Sequence, residues 1–256
     1  MIIGTQKPSK MLSEYVNCIW MLENNSSQHT ELVYPTGKIQ LLFHYKEPFD
    51  EVKSNGASSA QPQFTVCGQK TTFSNVTASG RSGMIGIVFH PHAASALFPF
   101  NLNEITDKSV SIEDIFTDWK YNKEKFMECT DNRERVKMIE SFLMKKINIE
   151  NRYHYSVARF CVADINAKKG ALPIKEILNK YNVTERTLQR IFNRYVGVTP
   201  KKYSDFVKLE YAIQLCKTKT PLMDVSFKAG YYDQSHFVKT LKEYTGLTPT
   251  GLIKLL

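Results

Sequence analysis

VTERTLQRIFNRYVGVTP, residues 183–200, is the stretch that decides how the second half of this chain is read. At helical spacing Leu188, Ile191, Phe192 and Tyr195 share one face, and Arg186, Gln189, Arg190 and Asn193 share the opposite one. A face that only meets water usually mixes acids with bases. This one carries two arginines and two planar amides with no acid among them. Arg and Gln are the side chains whose paired hydrogen bonds match the edges of guanine and adenine, so the face suits base reading as well as solvent.

The stretch has an echo in YDQSHFVKTLKEYTGLTP, residues 232–249. Laid in register, Tyr244 falls on Tyr195, Gly246 on Gly197, Thr248 on Thr199 and Pro249 on Pro200. Phe237 takes the place of Leu188, Leu241 that of Phe192, and Lys239 that of Arg190. Before each copy lies a short amphipathic segment and a tight turn: IKEILNKYNV before the first and LMDVSFKAGYY before the second. Asn182 and Gly230 are residues that accept the positive φ such a turn needs. Short helix, turn and longer helix with a polar outer face is the helix-turn-helix plan, here present twice. The segment between the units, PKKYSDFVKLEYAIQLCKTKT, spaces Phe206, Leu209, Ala212, Ile213 and Cys216 as a linker helix.

Charge divides the chain in the same place. Residues 151–256 hold 18 Lys+Arg against 8 Asp+Glu, whereas residues 1–150 hold 16 against 17. The net charge of +9 therefore belongs to the end of the chain, as for a basic nucleic-acid module carried by a neutral domain. No apolar run reaches the roughly 18 residues of a membrane helix, and the first residues lack a basic segment followed by an apolar one. The five cysteines (18, 67, 129, 161 and 216) are scattered with no CxxC, which fits reduced thiols and a cytoplasmic location. Nucleophile motifs, phosphate-binding glycine loops and paired catalytic acids are absent, so the expectation is no enzyme and no cofactor.

The first part of the chain reads as strands: YVNCIWMLE (15–23), KIQLLFHY (38–45), QFTVCG (63–68) and GMIGIVFH (83–90). Turn residues separate them at 35–37, 54–56 and 79–83, and KSNGASSAQPQ (53–63) reads as a mobile loop. From Ser111 the period becomes helical. One helix is expected from a cap at Ser111 or Asp114 through Cys129, and a second carries Val136, Ile139, Phe142, Leu143 and Ile147 on one stripe. That stripe serves either packing on the β-rich part or a dimer contact. The expected domains are 1–150, β-rich with helices from about 111, and 151–256, all-α and DNA-binding.

TLQRIFNRYVGVTPKKYSDFVKLEYAIQLC followed by AGYYDQSHFVKTLKEYTGLTP resembles the AraC/XylS family of transcriptional regulators in residue type and spacing. The resemblance covers about 155–256. Leu178 stands where a small residue is usual, Lys208 where Arg is usual, and Leu241 where Phe is usual. More weakly, YPTGKIQLLFHY and GIVFHPHAASALFPFNLNEITD resemble a divergent cupin-like sensor half. The fold class implied is multi-domain: a β-rich, cupin-like barrel with added helices, then an all-α domain with two helix-turn-helix units joined by a linker helix. The function implied is a sequence-specific regulator, with double-stranded DNA as partner and a small-molecule effector in the N-terminal domain. RNA polymerase and a second copy of the chain are candidate partners.

The candidate base readers are Arg186, Gln189 and Arg190 in the first unit. The family's outward positions place Gln234, Ser235, Val238 and Lys239 in the second. Lys201, Lys202 and Lys242 are candidates for phosphates. Val238 can meet only a thymine methyl, so the second unit is expected to read less strictly. His90-Pro91-His92 is too sparse for a metal set, with no further His until His154. His44 and Trp20 read as core or cavity residues, Arg81 as facing water, and His236 as a packing or phosphate-touching residue. Two rival readings keep the DNA module but make the N-terminal part a metal-dependent cupin-like enzyme or a protein-interaction domain.

Overall fold

The computed structural model describes residues 2–24, 28–78, 80–218 and 220–255; Ser79, in the expected turn at 79–83, lies outside them. Ten strands come first: β1 (Ile2–Gln6), β2 (Val16–Asn24), β3 (His29–Val33), β4 (Gln40–His44), β5 (Asp50–Lys53), β6 (Ser58–Ala60), β7 (Phe64–Cys67), β8 (Ser74–Ala78), β9 (Ser82–Phe89) and β10 (Ser109–Ser111). They form two antiparallel sheets, β1-β2-β9-β4-β7-β10 and β3-β8-β5-β6.

Strand β9 is buried along its whole length, and its alternation explains the layering. Ile85, Ile87 and Phe89 join Ile19, Leu41 and Phe43 in a core that also holds Val136, Ile139, Phe142 and Leu143. Met84 faces the other way, onto Leu22, Leu42, Phe49, Val76 and Ala78 between the two sheets. Gly86 is required because the Trp20 indole lies across it; a Cβ there would sit 2.1 Å from Trp20 Cε2.

The helices are α1 (Ile112–Ile115), α2 (Lys120–Glu128), α3 (Asn132–Lys146), α4 (Arg152–Ala167), α5 (Ile174–Tyr181), α6 (Glu185–Tyr195), α7 (Pro200–Lys217), α8 (Leu222–Lys228), α9 (Gln234–Thr245) and α10 (Pro249–Leu255). The stripe on α3 packs against the β-rich core rather than facing solvent. Buried in the same helix is Arg135, whose guanidinium stacks 4.2 Å from the Tyr45 ring centroid.

Two expectations need correction. Residues 53–63 are no open loop: β5 and β6 pair as a hairpin with Gly56 at φ +85°, the conformation an Asn-Gly turn supplies. The single helix expected over 111–129 is broken. Ser111 caps α1, the backbone leaves the helical region at Phe116 (φ −122°, ψ 85°), and a 3-10 turn at Thr117–Trp119 precedes α2. The break lets the indole of Trp119 bury edge-on against Phe43, Phe64 and Phe142.

His44 and His92 are buried as neutral rings, which holds their pKa values near about 4 and about 3. An unfolded chain protonates these rings near 6.5, so their contribution to stability is complete above that pH and is lost as pH falls towards the folded values. The unfolding free energy should therefore decline by about 1.4 kcal/mol per pH unit for each histidine between pH 6 and 5. Denaturant titrations at several pH values check this; His92→Phe should remove about half of the slope, and an unchanged slope would contradict it.

Candidate nucleic-acid interface

Each helix-turn-helix unit is built from local rules. In the first, α5 ends at Asn182 in the left-handed conformation (φ 48°, ψ 49°), and Thr184 caps α6 by accepting the Thr187 N–H at 3.2 Å. In the second, Gly230 takes φ +75° and Asp233 caps α9 by accepting the His236 N–H at 2.7 Å. The two longer helices end before Gly197 (φ +91°) and Gly246 (φ +70°). A single core joins the units: Leu188, Ile191 and Phe192 of α6, Phe206, Leu209 and Ile213 of α7, and Phe237 and Leu241 of α9 all belong to it. The linker helix α7 has 18 residues, roughly 27 Å at 1.5 Å per residue.

On α6, Arg186, Gln189 and Arg190 are all exposed, and Gln189 Nε2 donates to Glu185 Oε1 at 3.3 Å. On α9, Gln234, Ser235 and Lys239 are exposed, while Val238 is half-buried and leans on the helical core. Lys201 and Lys242 are exposed and Lys202 is half-buried; Lys201 pairs with Asp205 at 3.0 Å. The structure thus brings the first-unit trio onto one open helix face and sets the second-unit residues on the equivalent helix. The sequence reading passed over Met223, Phe227 and Tyr232, which stand 74%, 85% and 93% exposed on the second unit. For Met223 and Phe227 the signal was available as apolar residues off the buried stripe of α8; Tyr232 lies in the turn before α9.

Between α4 and the first unit, Asp164 accepts from Lys180 Nζ and Tyr181 Oη, both at 2.6 Å, and these bonds hold its carboxyl below the usual carboxylate range. His236 packs edge-on against Tyr231, 5.4 Å between centroids, and Arg81 is exposed to solvent. His90 and His92 lie 6.4 Å apart, and His92 rests edge-on against Tyr155 of α4.

Both units also dock on the β-rich part. Arg194 donates to the carbonyls of Phe100 (2.6 Å) and Phe98 (3.3 Å), and Thr106 Oγ1 donates to the Gly197 carbonyl at 2.7 Å. A Cβ at Gly197 would lie 3.1 Å from Gln69 Cγ, and one at Gly246 would lie 2.6 Å from the Phe73 ring. One loop, 68–73, therefore meets the same position in both repeats. Lys38 reaches Glu210 on α7 at 3.5 Å.

Among known proteins, a helix-turn-helix domain model matches residues 177–254, and a domain of unknown function, DUF6597, matches residues 5–111. The HTH-type transcriptional regulator GbdR of Pseudomonas aeruginosa is 32% identical over 79 residues, 30% of this chain and 22% of that protein. The lactose operon transcription activator of Staphylococcus xylosus is 27% identical over 74 residues, 28% of this chain and 26% of that protein. The matches thus span about a quarter of the length of these relatives. The solved structure of ToxT from Vibrio cholerae aligns over 100% of this chain and 99% of its own with a TM-score of 0.50 at 12% identity, a likeness of fold alone.

The turn geometry makes a direct prediction. Asn182→Gly should leave thermal stability close to the parent, whereas Asn182→Val should lower it by about 1–2 kcal/mol, because a branched side chain resists the left-handed region. Equal melting temperatures for the two variants would contradict the assignment. With its repeated units, shared core and domain match, the C-terminal part of this chain is a double helix-turn-helix domain, joined to a β-rich N-terminal region.

Proposed function

We propose that the chain is a sequence-specific DNA-binding transcriptional regulator rather than an enzyme, divided into a sensor domain at 1–150 and a DNA-binding domain at 151–256. The observation that carries this reading is the exposed, acid-free trio Arg186, Gln189 and Arg190 on a capped helix of the first unit. In the major groove, Arg pairs with guanine O6/N7 and Gln with adenine N6/N7. In the second unit Gln234, Ser235, Val238 and Lys239 are the corresponding readers. The half-burial of Val238 leaves that unit less to read with. Lys201, Lys202 and Lys242 are assigned to phosphates. A cytoplasmic location accords with this function, and no helix among the described residues is long and apolar enough to cross a membrane.

Effector control has a physical candidate in a cavity of about 420 Å³ between the two sheets. Trp20, Leu42, Phe49, Val76 and Met84 give it apolar walls, with Gln40, Gln61, Lys38 and Lys70 as polar groups. That size and balance suit a small molecule with an apolar body. The route to the DNA-binding units is short. Cys67, Gly68 and Lys70 line the cavity, while Gln69 and Phe73 in the same loop touch Gly197 and Gly246. An occupant that shifts this loop would alter the seating of both units together, a coupling between two sites in the thermodynamic sense.

Arg190→Ala should lower affinity for sites mapped by genome-wide recovery of bound DNA and relax the preference at one base pair, worth about 1–3 kcal/mol of discrimination. Lys242→Ala should weaken all duplexes alike and flatten the salt dependence by about one unit of slope. Unaltered base preference in the first variant would remove Arg190 from the readers. For the cavity, the fluorescent dye 1-anilinonaphthalene-8-sulfonate should bind the parent protein, and Leu32→Trp, which fills the cavity rim, should reduce its binding severalfold. Undiminished dye binding would place the site elsewhere.

A further inference from the structure

We propose that the N-terminal region is itself part of the DNA-binding surface: Asn101 and Asn103 form the second wall of a cleft that takes a sugar–phosphate strand beside the first recognition helix. This rests on the reading of α6 as a base-reading helix. The cleft has a volume of about 460 Å³, with Asn101 and Asn103 on one side and Arg186, Gln189, Arg190 and Asn193 on the other.

Geometry places a phosphate strand there. Residues follow each other by about 100° around a helix, so Thr187 and Arg194 lie on a flank about a quarter turn from the centre of the reading face. Arg194 is fixed to the Phe98 and Phe100 carbonyls, which sets the following segment, 101–105, alongside that flank. When a recognition helix enters the major groove, about 12 Å wide, the two backbones bounding the groove run along the helix flanks. One of them must pass between α6 and residues 101–103.

Chemistry favours contact over exclusion. Asn101 and Asn103 are exposed, and amide side chains are regular partners of phosphate oxygens. No carboxylate lines the cleft among the described residues. The two acids beside it already hold donors: Glu104 accepts the Asn101 backbone N–H at 3.0 Å, and Glu185 accepts from Gln189 at 3.3 Å. The wall is also held in place, since Thr106 Oγ1, just beyond the segment, bonds the Gly197 carbonyl that ends the first unit. The sensor region thus meets DNA only while the first unit is docked on it, so its seating on the helical domain bears directly on affinity.

The test uses the full chain and a mixed-sequence 40-base-pair duplex, with affinity measured at several salt concentrations. Asn103→Asp should weaken binding about 3- to 10-fold. Asn103→Lys should tighten it severalfold and steepen the salt slope by about one phosphate contact. Gln28→Lys, at an exposed position just before β3 that does not line the cleft, reports the effect of general charge and should change affinity less than twofold. Equal affinities for the parent and Asn103→Asp, or equal gains from Asn103→Lys and Gln28→Lys, overturn the proposal while leaving the base-reading assignment in place. Tighter binding by Asn103→Asp means that the segment excludes DNA and also overturns it. A parent protein with no salt-dependent binding to the duplex overturns the reading on which it rests.

Discussion

The guanidinium of Arg194 is the group through which the two halves of this molecule depend on each other. It lies at the end of the first recognition helix and is satisfied by the carbonyls of Phe98 and Phe100, in a segment that leads from the last long strand of the β-rich region. Bonds from a charged donor are worth more than neutral ones, about 1.5–3 kcal/mol. Beside it, the Thr106 hydroxyl takes the Gly197 carbonyl, and no side chain other than hydrogen fits at Gly197 without pressing on Gln69. The first unit is therefore held by its own terminating turn. The face of α6 that carries Arg186, Gln189 and Arg190 stays open because the anchoring residues sit on the flank and the end of the helix.

A second consequence concerns the repeat. Both recognition helices end in a glycine at positive φ, and both glycines abut the 68–73 loop, at Gln69 and at Phe73. Gln69 is fully buried at this contact, and its chain neighbours Gly68 and Lys70 line the cavity between the sheets. The loop that seats both units is thus continuous with the cavity wall.

Much of this was legible in the sequence, for identifiable reasons. The echo of 183–200 in 232–249 gave the two units, and Asn182 and Gly230 marked their turns because few residues tolerate positive φ. Strands rich in β-branched, aromatic and other apolar residues, such as β2 and β9, were readable. β6, with three exposed small residues, carried no period to detect, and its hairpin was signalled only by Asn55-Gly56. The helix break at Phe116 was invisible because what causes it is tertiary: Trp119 turns into an aromatic cluster assembled from β4, β7 and α3. The candidate readers were legible as residue types on a face. The cleft beside them was not, since Asn101 and Asn103 come to line it with Arg190 only through the docking of distant segments.

On the proposed function, two unequal helix-turn-helix units held in one core address DNA together. Selection of bound duplexes from a randomised pool by the full chain tests it most directly. Two enriched clusters should emerge, with centres about 10–10.5 base pairs apart and one more stringent than the other. Arg186→Ala should relax the stringent cluster and leave the weaker one intact. A single cluster, two clusters of equal stringency, or no enrichment at all would contradict it.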